Sequence, residues 1–207
     1  MSRVTTTLTP PELFDRLLAV LSSPRFLAAQ GPANDLPFYI CPYRPQDAVQ
    51  IAGMRDNLVK QLADRGITVL MIDIYDASIA LLRDRGIWDE ILTMEPGIKK
   101  DELKELLQNV LDPEVHLVPL IATGMAETPF DIMFLTGVGE VFPYLRSHSI
   151  LNNLQSTAKD RPTVMFFPGR YTQGTDTGAS LDLFGLLHDD KYYRATDIST
   201  YRVQGGS

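Results

Sequence analysis

A chain of 207 residues suits one compact domain that buries about 70% of the surface its unfolded form exposes, so a core needing no disulfide or structural metal is expected. Its 19 Lys and Arg stand against 26 Asp and Glu, a net charge of -7 that opposes direct binding to nucleic acid or an anionic membrane, and no basic run overrides it. A single cysteine, Cys41, excludes an internal disulfide, and with a polar stretch over residues 1–9 in place of an apolar leader it points to a cytoplasmic protein.

The first helix opens at Thr9-Pro10-Pro11-Glu12, where Thr9 can cap, proline suits the first turn and Glu12 completes a capping box. Leu13, Leu17, Leu18 and Leu21 then form one apolar stripe. Residues 36–41, bounded by Pro37 and Pro42, read as a strand that buries Cys41 as a small hydrophobe. Helical spacing resumes over 46–65 through Ala48, Ile51, Leu58 and Leu62, with Gly66 as the C-cap. Residues 67–74 are apolar on both faces, which predicts a central parallel strand covered by helices on each side.

Helices are expected over 76–85, 101–111 and 113–126, the last begun by Asp112-Pro113. A buried strand over 131–135, a helix over 143–157, a strand over 163–167 and an edge strand over 192–198 follow. Strands separated by helix-length crossovers give an α/β fold: a mostly parallel central sheet of four to five strands, with helices on both faces and a helical insertion over 76–127. The whole of 1–207 is expected to be one domain with a disordered tail over 199–207.

In such a sheet, ligands gather where the strands end, and the loops there hold imperfect copies of known motifs. Gly137-Val138-Gly139-Glu140-Val141-Phe142 follows a strand as a dinucleotide loop would, but Phe142 replaces the third glycine, so a plain tight turn is expected. Gly169 to Asp176 has the glycine spacing of a phosphate loop, yet Thr175 and Asp176 replace its lysine and hydroxyl, leaving a flexible polar loop. Gly178-Ala179-Ser180-Leu181-Asp182 lacks the second glycine of a nucleophile elbow, which leaves Ser180 as a helix N-cap. His188-Asp189-Asp190 has metal-binding residue types but no third convergent ligand, so it reads as a solvated turn. Neither a cofactor nor a metal is expected.

The most polar helix carries Tyr144, Arg146, His148, Ser149, Asn152, Asn153 and Gln155. At helical spacing His148, Asn152 and Gln155 line one face, and Arg146, Ser149 and Asn153 the next. So much hydrogen-bonding capacity with so little charge suits a surface that reads a partner, or equally a polar surface around a satisfied buried His or Asn. An enzyme or nucleotide sensor is the alternative. Its groups would be Asp76, Arg146, His148 and Arg170 beside Gly137 and Gly139, in a cleft at the strand ends.

Several blocks resemble the BrxB family of BREX phage-defence systems: residues 131–139, 142–155, 163–169, 180–185 and 189–194, extended towards the N-terminus by Leu36-Pro-Phe-Tyr-Ile, Pro42-Tyr43 and Leu111-Asp-Pro-Glu114. The resemblance implies an accessory subunit of a system that blocks phage replication and marks host DNA by methylation. It further implies partners among the other BREX subunits, with the phosphatase-like PglZ protein as the direct one. It carries over no catalytic residue.

Overall fold

The computed structural model describes residues 8–29, 37–174, 178–185 and 195–201, with only the backbone of residues 173, 174, 178 and 179. Helices α1 (Pro10–Leu21) and α2 (Pro24–Leu27) precede strand β1 (Phe38–Tyr43), and α3 (Ala48–Ala63) leads to β2 (Val69–Asp73). Four helices follow: α4 (Ile74–Asp84), α5 (Trp88–Met94), α6 (Lys100–Val110) and α7 (Val118–Glu127). Strand β3 (Ile132–Thr136), helix α8 (Ser147–Leu154), strands β4 (Thr163–Gly174) and β5 (Gly178–Leu183) and the short β6 (Thr196–Asp197) complete the described chain.

The sheet runs β2-β3-β4-β1-β6 with every ladder on this path parallel, and β5 pairs antiparallel with the outer part of β4. From β1 the chain crosses to the far edge at β2, then steps back through β3 to β4. Right-handed connections require these opposite directions to use opposite faces of the sheet. Accordingly one core packs Leu17 and Leu21 of α1 and Leu58 and Leu62 of α3 against Cys41, Phe134 and Phe166, whereas the other packs Ile74, Leu82, Ile121 and Leu151 against Ile40, Met133 and Phe167. The sheet is covered on both sides, as an α/β reading of the sequence requires.

Local chemistry sets the element ends. The Glu12 carboxylate accepts from the Thr9 backbone N–H at 2.8 Å and from its hydroxyl at 2.7 Å. Asp112 accepts from the N–H groups of Glu114 and Val115, both at 2.9 Å, and opens a π-helical turn (Pro113–Leu117) that runs into α7. Gly66 closes the α3 turn with φ of +76°, a conformation that costs glycine little. Phe26, Tyr39 and Tyr201 form an aromatic trio with centroids 4.7 to 5.7 Å apart, and the Arg16 guanidinium donates to the Tyr201 carbonyl.

Several expected elements fall differently. Strand β2 is an edge strand among the described residues, not a central one: its apolar residues reflect cover on two faces, while no described strand pairs with its outer side and Met71 is 37% exposed. The helix expected over 143–157 spans only Ser147–Leu154, because turns occupy 138–144 before it and 155–157 after it. Strand β4 does not stop before Pro168. It continues to Gly174 and pairs with β5, so residues 169–174 of the segment read as a flexible loop form a hairpin arm, 175 and 176 lie outside the described residues, and Ser180 lies in a strand rather than capping a helix. Of the strand expected over 192–198, Thr196–Asp197 pairs with β1 and residues 198–200 turn as a 3-10 helix, while 192–194 lie outside the described residues. Helices α2 and α5 had no expectation.

Candidate functional site

The ends of β1, β2, β3 and the inner part of β4 meet on one side of the sheet, where the strand order reverses and an open α/β sheet places its ligands. Asp73 ends β2 there. One of its carboxylate oxygens accepts from the N–H groups of Tyr75 at 3.0 Å and Asp76 at 3.2 Å, and the other from the Thr136 hydroxyl at 2.8 Å. The positive end of α4, which could attract an anion, is thus occupied by the protein's own carboxylate.

Glycines of the would-be nucleotide loops serve this packing. Gly137 has φ of +73°, and a Cβ there would stand 2.3 Å from Asp73 Oδ1 and 2.8 Å from the Tyr75 nitrogen. A Cβ on Gly139 would stand 2.8 Å from the Pro168 ring and 3.3 Å from Phe184. At Gly169 a Cβ would lie 2.2 Å from the Asp182 carbonyl oxygen, across the hairpin. Each glycine lets one part of the chain approach another, which is the space a phosphate would need in a nucleotide loop.

The residues read from sequence as a cleft are distributed as follows. Asp76 is exposed in the first turn of α4, and its backbone N–H helps bind Asp73. Arg146 is exposed at the N-cap of α8, while His148 in the next turn is buried at 6% exposure. Arg170 is exposed on the hairpin arm, opposite Asp182 in register; the Ser180 hydroxyl donates to Asp182 at 2.9 Å. The cleft reading therefore draws on groups from the strand ends, a core helix turn and the outer arm. His188-Asp189-Asp190 lies outside the described residues.

The polar face of α8 is divided. Asn152 is exposed, Ser149, Asn153 and Gln155 are half-buried, and Ser147 joins His148 inside. The Asn153 amide donates to the Ser149 carbonyl at 2.8 Å, and the Gln155 Nε2 is buried without a hydrogen-bond partner. Tyr144 packs partly against the core, and its hydroxyl donates to the Glu140 carbonyl at 3.3 Å. Burial, and then the neighbouring Tyr75, raise its ionisation.

A second polar group at the strand ends went unread in the sequence. Tyr43 at the end of β1 has its ionisation pushed up to about 12, first by burial and then by the charge of Glu140, with smaller contributions from Cys41 and Asp73, opposed by Arg55. Arg55 sits between Ile51 and Leu58 on α3, and its Nε is buried without a hydrogen-bond partner. These groups come from four segments whose proximity only the fold creates. Cys41 is wholly buried and its thiol is raised by desolvation, the state of a packed hydrophobe rather than a nucleophile. Among the described residues no three His, Cys, Asp or Glu converge to hold a metal, and no helix is long and apolar enough to cross a membrane.

The model of the BREX protein BrxB family matches residues 70–198, from β2 to the turn after β6. A BREX protein BrxB from Bacillus cereus (strain H3081.97) is 34% identical over 193 residues, 90% of this chain and 96% of that protein. Another from Escherichia coli O9:H4 (strain HS) is 26% identical over 175 residues, 84% of each. No solved structure matches significantly.

Proposed function

The chain belongs to the BrxB family, and from that premise we propose that it serves phage defence as a non-catalytic subunit, binding the phosphatase-like PglZ component and supporting phage restriction and host DNA methylation. Its partners are other BREX subunits, in the cytoplasm. The observation that carries the non-catalytic reading is the filled strand end: Asp73 caps α4, and Gly137 and Gly139 press directly against Asp73 and Pro168. A face for PglZ is offered by exposed Arg146 and Asn152, with Ser149, Asn153 and Tyr144 partly open.

Titration of purified PglZ into the protein tests this reading. Arg146→Ala with Asn152→Ala changes two exposed side chains, so the fold should survive. Loss of a central arginine contact costs about 2 kcal/mol or more, roughly a thirtyfold weaker association. A folded double variant that binds as tightly as the parent removes α8 as the interface.

A ligand at the strand ends is the second reading, and the buried, unpartnered Nε of Arg55 beside Tyr43 favours it. Calorimetry with ATP and magnesium separates the two. Micromolar binding that disappears in Arg55→Gln supports the second and counts against the first.

A further inference from the structure

Strand β2 differs from the opposite edge of the sheet in a way that specifies a partner. At the far edge, among the described residues, β6 pairs over only Thr196 and Asp197, a length that offers little to another strand. By contrast β2 presents Val69-Leu70-Met71-Ile72-Asp73 over five residues, all paired with β3 on the inner side and, among the described residues, with nothing on the outer. It contains none of the lysines, prolines or bulges with which proteins guard such edges.

The direction of its peptide groups follows from the ladder. The Thr68 carbonyl accepts from the N–H groups of Asp131 at 2.9 Å and Ile132 at 3.2 Å, so Thr68 faces β3. Alternation then turns Leu70 and Ile72 to β3 and leaves the N–H and C=O of Val69 and Met71, with the N–H of Asp73, facing outward. These groups ask for an extended strand. The Asp73 carbonyl is committed to the first turn of α4.

We propose that the occupant is a second copy of this chain, its β2 antiparallel to the first about a twofold axis through Met71. The edge is complementary to itself in that arrangement. Met71 meets the partner's Met71 and exchanges both main-chain hydrogen bonds with it. The Asp73 N–H reaches the carbonyl of the partner's Val69, and the reverse, for about four bonds in all. Leu70 then stands opposite the partner's Ile72 and Ile72 opposite the partner's Leu70, apolar against apolar on the face that already packs the larger core. Met71, 37% exposed on the other face, is covered by its own symmetry mate, and no charge is brought to the axis. The result is one sheet continuous through two molecules, an isologous contact. It is independent of the proposed PglZ interface.

Sedimentation velocity across a concentration series reads the dimer directly. The parent should dimerise, Met71→Lys should weaken the dimer at least about tenfold by placing like charges face to face, and Met71→Thr, a good strand former without charge, should keep it. A second measurement fixes the register: Met71→Cys should cross-link through a short bis-maleimide, whereas Val69→Cys, which would face the partner's Asp73, should not. Cys41 is fully buried and adds no background to either. A parent that stays monomeric to about 200 µM overturns the proposal, since a cellular dimer needs tighter association than that. So does a dimer that Met71→Lys leaves intact, or one that cross-links at Val69→Cys and not at Met71→Cys.

Discussion

Replacing Gly137 by alanine tests whether the strand end is filled as described. Gly137 has φ of +73°, and the added methyl would come within 2.3 Å of Asp73 Oδ1, a side-chain tip held by the hydrogen bonds of the α4 cap, and 2.8 Å of the Tyr75 backbone nitrogen. Three costs follow. Left-handed backbone costs alanine about 1 kcal/mol. Displacing Asp73 weakens the cap of α4 by about 1 kcal/mol. The Thr136 hydroxyl loses its acceptor, worth about 1 kcal/mol more. Gly66→Ala provides the reference, because Gly66 has φ of +76° but open space around its Cβ. Urea unfolding at equilibrium should therefore show Gly66→Ala destabilised by about 1 kcal/mol and Gly137→Ala by about 3 kcal/mol. If the two variants lose the same amount, the loop does not press on Asp73 and the filled strand end is wrong.

Gly53→Ala should stabilise the protein by about 0.5 to 1 kcal/mol in the same assay, since Gly53 is exposed within α3 and nothing lies within 4 Å of its Cβ. Tyr43 makes a pH-dependent contribution: its value in the folded protein, about 12, lies above the ordinary 10.0, so the contribution is whole below that ordinary value and is lost as pH rises through the folded one. Tyr43→Phe should accordingly flatten the decline of the urea midpoint between about pH 10 and pH 12, and an unchanged slope would count against burial of the phenol. Cys41, buried with its thiol raised, should resist an aromatic disulfide reagent at pH 8 until the chain is unfolded in urea; rapid reaction of the folded protein would contradict its placement.

What the sequence disclosed follows the range of each signal. Thr9 with Glu12, Asp112 before Pro113, and Gly66 are local devices acting within a turn, and each occurs where its residues indicate. The apolar run of β2 reports that helices cover both faces but says nothing of how many strands lie beside it, so an edge strand reads as a central one. In the Gly169 to Asp182 stretch, turn-forming residues outweighed the short apolar runs, and the pairing of Tyr171 with Leu181 that makes it a hairpin lies outside local spacing. Gly137 reads as a required glycine from sequence alone, yet the carboxylate that requires it arrives from β2. Arg55 and Tyr43 were hidden for the same reason: α3 presents Arg55 in line with Ile51 and Leu58, where an apolar stripe is expected, and only the fold brings it near the end of β1.

The claim that this BrxB chain is an assembly subunit is tested most directly by titrating purified PglZ into it and following heat and complex mass together. A saturable complex of micromolar affinity or tighter is expected, weakened roughly thirtyfold by Arg146→Ala with Asn152→Ala. No heat and no complex with folded components at concentrations up to about 100 µM would contradict it.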